Sequence, residues 1–279
     1  MDENDQLNLP MGTDLEAVLK EVEWDRSRGS RELTSMIIEE SLIWTLEQDE
    51  LDRETVKDIC ERISTLRPEM ASVCTVGYLL WSTYKNYFED HSSRNAFAEA
   101  LRDLKQQQNE ADEKIARYLE ESDLDDKDIL TFSRSSTVLS LLTNIESIQR
   151  VVVLHSFPGE EGIDLADELS EKLDVTFAYD VEAGYFLPEV DAFYTGVDSL
   201  FNDGSIVNKT GTKLLARSAE STPVRAVSDI WKLTHLEAIT DVPRYPSPKE
   251  LPHSIQREHP LFETVEPEYI DTYITDRGL

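Results

Sequence analysis

Residues that could bind an anion follow a short apolar run near the middle of the chain. The stretch 133–136, Ser-Arg-Ser-Ser, comes directly after the apolar run 129–132 and begins a helical pattern. Free backbone N–H groups and the dipole at a helix N-terminus favour a bound phosphate there. Ser135 or Ser136 could equally cap the helix, and capping can coexist with anion binding. The stretch predicts a phosphate cradle, a helix cap, or both.

A second constellation begins with Gly196-x-Asp198 and continues, after the turn signal Asn202-Asp203-Gly204, with Asn208-Lys209-x-Gly-Thr. We interpret 208–212 as a small polar loop that opens a helix and offers the Lys209 ammonium to a phosphate. Desolvation in a pocket would raise the pKa of Asp198 and make it a general acid or base. A structural Asp that caps the next turn is the alternative.

These residues belong to an alternating pattern that predicts a parallel sheet. Apolar runs at 129–132, 151–154, 175–179, 192–195 and 224–227 are separated by helical patterns at 138–148, 163–173 and 211–219. This order predicts right-handed crossovers between parallel strands. Ligands in such sheets bind beyond the carboxyl ends of the strands. The polar residues at those ends include His155, Ser156, Asp180, Ser228 and Asp229.

The first 120 residues show helical spacing instead. Apolar residues recur with that spacing at 15–22, 33–46, 56–66, 71–88 and 97–119. The acidic stretch 120–128 ends this pattern. We therefore predict an α/β fold with an N-terminal helical domain, 1–120, followed by a Rossmann-like parallel-sheet domain, 121–279. Five prolines between 243 and 260, and a short helix-like stretch at 267–274, predict an extended C-terminal tail that wraps back over the sheet domain.

Acidic residues outnumber basic ones: 57 Asp and Glu stand against 27 Lys and Arg, for a net charge of −30. A spread acidic surface suits a cytoplasm at molar salt, where the Debye length is about 3 Å and self-repulsion is screened. The composition is therefore typical of a halophilic archaeon. The same field repels phosphate backbones, and no basic stripe with interleaved aromatics opposes it, so we expect no direct nucleic-acid binding.

Neither a metal site nor a membrane segment is indicated. Cys60 and Cys74 lack CxxC or His spacing and are interpreted as buried thiols. The longest apolar runs, such as 73–81, are shorter than the ~20 residues that span a bilayer, and no signal peptide is recognisable. We expect a cytoplasmic protein that uses no metal and no cofactor and does not bind membranes.

The constellation from Gly196 to Thr212, with the later Lys232, resembles the signature of one superfamily. This superfamily joins the alpha, beta and delta regulatory subunits of translation initiation factor 2B to isomerases of methylthioribose 1-phosphate and ribose 1,5-bisphosphate. Arg28-Gly29-Ser30 is similar to its Arg-Gly-Ala phosphate loop, and Arg67-Pro68 to its Arg-Pro substrate motif. The segments 259–263, 267–270 and 274–278 are similar to its closing elements. The resemblance implies a dimer-forming architecture.

Two departures from the isomerase pattern affect the function that this resemblance implies. The resemblance places the isomerases' catalytic cysteine at Ser133, and a serine hydroxyl has a far higher pKa than a thiol. Phe132-Ser133-Arg134 is similar instead to the Phe-Ser-Arg of the regulatory subunits. His-Ser-Phe-Pro at 155–158 replaces the family's Glu-Ser-Arg-Pro, so an arginine with bidentate phosphate-binding capacity is missing.

The resemblance implies a regulatory-subunit-like protein that binds a phosphorylated small metabolite at the sheet edge and acts through protein contacts. It implies a homodimer or larger assembly, with translation initiation factor 2 or related proteins as candidate partners. The predicted ligand-binding residues are Arg28, Gly29, Ser30, Arg67, Arg134, Ser135, Asn208 and Lys209. The alternative is an aldose-ketose isomerase with Asp198 as acid or base and Ser133 or water in place of the cysteine. A ligand-free assembly protein is a third hypothesis.

Overall fold

The computed structural model describes residues 14–234, 244, 254 and 258–278. Five helices come first: α1 Leu15–Trp24, α2 Ser30–Glu47, α3 Arg53–Ile63, α4 Ala71–Tyr87 and α5 Ser93–Glu120. The carboxylates of Asp14 and Asp52 accept from the N–H groups of Ala17 and Thr55, at 3.3 and 2.8 Å, and so begin α1 and α3. The predicted helical half is confirmed.

Strands and shorter helices alternate after residue 127. The strands are β1 Asp128–Phe132, β2 Arg150–Leu154, β3 Asp174–Ala178, β4 Ala192–Gly196, β5 Ser199–Leu200, β6 Ile206–Lys209, β7 Val224–Val227, β8 Phe262–Val265 and β9 Thr272–Ile274. The helices are α6 Ser136–Asn144, α7 Gly162–Ser170, α8 Ala183–Phe186 and α9 Thr212–Ser218.

The main sheet has the strand order β3-β2-β1-β4-β7-β9, and every neighbouring pair is parallel. Alternate residues of β1 face opposite layers. Ile129 packs in a core with α5, α6 and α7, whereas Leu130 packs in a second core with α8 and α9. Both side chains are fully buried, as expected for a central strand covered on both faces. The sheet confirms the predicted α/β fold.

The end of the chain differs from the prediction. The stretch 267–274 is not a helix: a single 3₁₀ turn, Pro267–Tyr269, leads into β9, which pairs with β7. Ile274 is fully buried there. A three-residue strand is too short to show a period in the sequence, and the free edge of β7 decides its conformation. Pro243, Pro246, Pro248 and Pro252 lie outside the described residues.

A small antiparallel sheet of β5, β6 and β8 was not predicted. Asn208 and Lys209 lie in β6, not in a polar loop, and pair with Glu263 and Phe262 of β8. More than fifty residues separate these partners in the sequence, so no local pattern predicts the strand. The small sheet also contributes Val207 and Phe262 to the helical core. A division into two domains at residue 120 therefore stays a prediction.

Both thiols lie within the helical half. Cys60 is buried, and desolvation raises its pKa to about 12; Cys74 is partly buried, with a pKa raised to about 11 by the same cause. Neither reacts readily as a thiolate at neutral pH. In the described ranges, no helix is long and apolar enough to cross a membrane, and no group of three or more His, Cys, Asp or Glu side chains could hold a metal.

Candidate functional site

A cavity of about 220 Å³ lies between the start of α2 and the carboxyl ends of the main-sheet strands. Every site residue predicted from the sequence lines it: Arg28, Gly29, Ser30, Arg67, Ser133, Arg134, Ser135, Asp198, Asn208 and Lys209. Parallel strands deliver the residues that follow them to one edge of the sheet, and this places residues 133–135 and Asp198 here. The other six residues come from the helical half and from β6. The helical half covers that edge.

The loop 25–29 shapes the helical wall of the cavity. Asp25 Oδ1 accepts from the N–H groups of Ser27 and Arg28, at 2.8 and 2.7 Å, and this turns the chain into α2. Gly29 is the N-cap residue, and Ser30, the first residue of the 18-residue helix, is buried at the cavity wall. The positive end of the α2 dipole therefore faces the cavity.

Arg67 is, with Lys232, the most buried charged group in the cavity wall, with 2% of its surface exposed. Its Nε donates to Glu69, and its Nη1 donates to the carbonyl oxygens of Val22 and Asp25, at 3.1 and 2.8 Å. Within the described part of the chain, Nη2 forms no hydrogen bond. A buried guanidinium nitrogen without an acceptor is costly, and an anionic ligand would supply one.

Asp198 follows β4 and is fixed through its backbone. Its N–H donates to Val207 O at 2.8 Å, and its carbonyl accepts from Ala71 N at 3.0 Å. Desolvation raises the pKa of its carboxyl to about 6, against the lowering effects of the Lys232 charge and a hydrogen bond from Ser30. Asp198 therefore changes charge near neutral pH inside the cavity.

Ser133, Lys209 and Glu161 form a connected cluster on the sheet side of the cavity. Ser133 Oγ donates to Glu161 Oε1 at 3.0 Å, and Lys209 Nζ donates to the same oxygen and, at 2.6 Å, to Ser156 O. Burial lowers the pKa of Lys209, and the Glu161 charge opposes that shift. The Lys209 ammonium, predicted to be available to a phosphate, is thus paired with a carboxylate of this chain.

Ser133 and Ser156 have positive φ angles of 65° and 68°. Residues other than glycine adopt this left-handed conformation rarely, and it clusters at binding sites. The Ser133 N–H donates to Ser156 Oγ at 2.7 Å, so the two strand ends hold each other in place. Asp180 supports the second turn by accepting from the N–H groups of Ser156 and Phe157, at 2.7 and 2.8 Å.

Ser135 caps α6, because its Oγ accepts from Val138 N at 3.4 Å. This supports one of the two hypotheses for that serine, and its place in the cavity wall keeps the other open. Gly196 lies against it: a Cβ at Gly196 would come within 2.5 Å of Ser135 Cβ and Oγ. The glycine of Gly196-x-Asp198 therefore permits the close approach of β4 to the cap of α6.

Two predicted ligand-binding residues are already engaged. Arg134 forms ion pairs with Glu32 at 2.6 Å and Glu168 at 2.8 Å. Asn208 donates from Nδ2 to Thr195 Oγ1 at 2.9 Å and Thr212 Oγ1 at 3.1 Å. The geometry makes Asn208 a brace between β4, β6 and α9.

Other strand-end residues do not reach the cavity wall. The His155 ring packs edge-on against those of Phe177 and Tyr179, and Asp229 caps the turn at Trp231. Sequence reasoning missed Arg26, Arg31 and Glu161, which do line it. Glu161 precedes α7 in an ordinary acidic stretch, so neither its residue type nor its position in the sequence indicates a site residue.

The charge of the cavity wall is opposite to that of the chain. Basic residues in the wall are Arg26, Arg28, Arg31, Arg67, Arg134, Lys209 and Lys232; the acidic ones are Glu161, Asp164 and Asp198. Seven of the 27 Lys and Arg residues of the chain thus line the cavity, against three of its 57 Asp and Glu residues. This concentration, with the α2 N-terminus, makes the cavity suited to an anion.

Known proteins resemble this chain in sequence and in fold. The chain is similar to a putative translation initiation factor eIF-2B subunit 2-like protein of Pyrococcus horikoshii, with 28% identity over 204 residues, 71% of each chain. It is also similar to a ribose 1,5-bisphosphate isomerase of Thermococcus kodakarensis, with 28% identity over 182 residues, 59% of this chain and 55% of that one.

Solved structures show the same fold. The translation initiation factor eIF-2B of Pyrococcus horikoshii OT3 superposes with a TM-score of 0.81 at 23% identity, over 96% of this chain and 97% of that one. A chain of the tetrameric eIF2B-beta2-delta2 complex of C. thermophilum gives a TM-score of 0.69 at 16% identity, over 95% and 89%. The model of the initiation factor 2 subunit family matches residues 23–279. This chain therefore belongs to the initiation factor 2 subunit family, whose members include relatives named for translation initiation and relatives named as sugar-phosphate isomerases.

Proposed function

We propose that this chain is a cytoplasmic regulatory-subunit-like protein that binds a phosphorylated small molecule in the cavity and acts through protein contacts. The observation that carries the proposal is the excess of basic over acidic residues in the cavity wall, seven against three, in a chain with a net charge of −30. A site that gathers basic residues against such a background attracts an anion. Its volume of about 220 Å³ suits a small metabolite.

The chemistry at Ser133 supports binding over turnover. The resemblance places the isomerases' cysteine at this position, and the Ser133 hydroxyl donates to Glu161 at 3.0 Å. Neither Cys60 nor Cys74 lines the cavity. A serine hydroxyl cannot supply the acidity or the thiolate of a cysteine, so the isomerase reaction lacks one of its two groups.

An isomerase is the second candidate, and one observation favours it. The Asp198 carboxyl lies in the cavity wall with its pKa raised to about 6, in the range where a carboxyl works as general acid or base near neutral pH. A relative is named as a ribose 1,5-bisphosphate isomerase. In that reaction Asp198 would move a proton between neighbouring carbons of an opened sugar phosphate.

Thermal unfolding in molar KCl, with inorganic phosphate, sugar phosphates and nucleoside monophosphates tested one at a time, checks the binding proposal. A ligand at 100 times its Kd is expected to stabilise the folded chain by about 2.7 kcal/mol. Arg28→Gln, which removes a partly exposed cation of the cavity wall, should weaken binding about tenfold and reduce that stabilisation by about 1.4 kcal/mol.

Arg102→Gln is the matched control, because the Arg102 side chain is 47% exposed against 40% for Arg28, pairs with Glu99 at 2.7 Å and lies outside the cavity. It should leave the ligand-induced shift unchanged. A flat response to every phosphate, or equal losses in the two variants, would contradict an anion site in this cavity.

We further propose that the chain assembles with a second copy of itself, with translation initiation factor 2 or related proteins as candidate partners of the assembly. Exposed apolar side chains cluster at the carboxyl end of the edge strand β3: Phe157, Phe177, Tyr179 and Val181. The Phe177 and Tyr179 rings contact each other, and Val181 is 93% exposed. Clustered apolar surface of this kind marks an interaction site. A structural neighbour, described above, comes from a tetrameric complex.

Val181→Asp is expected to convert a dimer into a monomer, because it places a charge in the proposed interface. Light scattering after size exclusion in molar KCl should give about twice 31.9 kDa for the native chain and 31.9 kDa for the variant. Leu214→Asp, at an exposed apolar residue of α9, should leave the mass unchanged. A monomeric native chain would contradict the proposal.

A further inference from the structure

Glu161 is one of three acidic residues that line a cavity with seven basic ones. Its Oε1 accepts from Ser133 Oγ and from the Lys209 ammonium. Lys209 is 3% exposed and the Glu161 side chain 21%, so water screens this pair only in part. On this side of the cavity the protein supplies its own anion.

The loop before α7 is built around that pair. A Cβ at Gly159 would lie 2.2 Å from Glu161 Oε2 and 3.0 Å from Lys209 Nζ. The loop therefore passes close to the ends of both side chains.

On the helical side of the cavity, one buried cation still has a nitrogen without an acceptor. Arg67 is buried, and its Nη2 forms no hydrogen bond within the residues described. Lys232, also buried, donates to Thr137 Oγ1 at 3.2 Å. Its charge and that of Arg67 both act to lower the pKa of Asp198. The pKa of Lys209 is instead affected by the Glu161 and Asp180 carboxylates, whose charges act to raise it. Arg67, although paired with Glu69, thus keeps one nitrogen without an acceptor, whereas Lys209 on the sheet side already pairs with Glu161.

Resting on the proposed function, we propose that Glu161 determines the ligand class of this cavity: a small molecule with a single phosphate and free hydroxyl groups, not a bisphosphate. The phosphate binds between Arg67 and the N-terminus of α2. The hydroxyl groups of the ligand point toward Glu161, whose carboxylate accepts hydrogen bonds from them. A second phosphate on that side would meet the Glu161 charge at close range and is repelled.

Calorimetric titration with ribose 5-phosphate and ribose 1,5-bisphosphate tests this inference, since the two probes differ by one phosphate. The native chain should bind the monophosphate at least tenfold more tightly. Glu161→Gln leaves the Lys209 ammonium without its carboxylate and should shift the ratio at least tenfold toward the bisphosphate. Glu160→Gln removes the same charge from the neighbouring, exposed residue and should leave the ratio unchanged.

Glu161→Asp keeps the charge but withdraws it from Lys209, and should give an intermediate ratio; it also serves if the Gln variant does not fold. Native binding of the bisphosphate at least as tightly as of the monophosphate would overturn the inference, as would equal ratios in Glu161→Gln and Glu160→Gln. Monophosphate binding with an unchanged ratio contradicts this inference alone, whereas binding of neither probe to any of the four proteins contradicts the proposed function as well.

Discussion

Replacing Arg67 with methionine is expected to lower the free energy of unfolding by about 3–5 kcal/mol, because it leaves a buried carboxylate without its partner. The Arg67 and Glu69 side chains are 2% and 3% exposed and form an ion pair in the helical half. The guanidinium also donates to the carbonyl oxygens of Val22 and Asp25. Chemical denaturation of the native chain and the variant in molar KCl measures the loss.

The double variant Arg67→Met with Glu69→Gln separates the unpaired charge from the lost contacts. Glutamine at 69 needs no counter-ion, so the double variant should recover a substantial part of the stability that the single variant loses. Both variants should lose the phosphate-induced stabilisation, since each removes the guanidinium from the cavity wall. Equal stabilities of the native chain and Arg67→Met would contradict the role given to the ion pair.

Five of the six strands of the main sheet could be predicted from the sequence, most readily the central ones, which are covered on both faces; β9 could not. A doubly covered strand is a continuous apolar run, as in Val151 to Leu154, and such runs are distinct from the amphipathic helices between them. The topology then places the residues after each run at one edge. This is why residues 133–135 and Asp198 reach the cavity. The four cavity residues of the helical half were expected only because of the family resemblance, and Asn208 and Lys209 reach the cavity from β6.

The small sheet could not be predicted for a physical reason. Asn208 and Lys209 are polar residues in a strand, and a buried strand is normally recognised by apolar residues. Their buried polar groups form hydrogen bonds with residues distant in sequence: Lys209 with Glu161, and Asn208 with Thr195. Glu161 could not be predicted for the same reason, because its contact with Lys209 depends on the path of the loop before α7.

Asp198 is expected to make the stability of the chain fall as the pH rises from about 4 to about 6. Its pKa is about 6 in the folded chain against an ordinary value of 3.8, chiefly because burial disfavours the charged form. Between these pH values the folded state binds more protons than the unfolded state, so the free energy of unfolding decreases with pH. The shift corresponds to a decrease of at most about 3 kcal/mol in the free energy of unfolding, and the full decrease is present above pH 6.

Asp198→Asn isolates this contribution, because asparagine resembles the protonated carboxyl in shape and charge. The variant should be more stable than the native chain above pH 6, by up to about 3 kcal/mol, and the difference should vanish toward pH 4. The difference between two denaturation series, measured from pH 4 to pH 8, removes the titration of the other carboxylates. A difference that does not depend on pH would contradict the raised pKa.

The same variant separates binding from catalysis. Removing a negative charge from the cavity wall should strengthen phosphate binding at pH 7.5, and the native chain should approach that affinity as the pH falls through about 6. An isomerase that uses Asp198 as acid or base would instead lose turnover of ribose 1,5-bisphosphate in the asparagine variant. Tighter binding without turnover in either protein supports the binding function, whereas native turnover that Asp198→Asn abolishes would establish the isomerase.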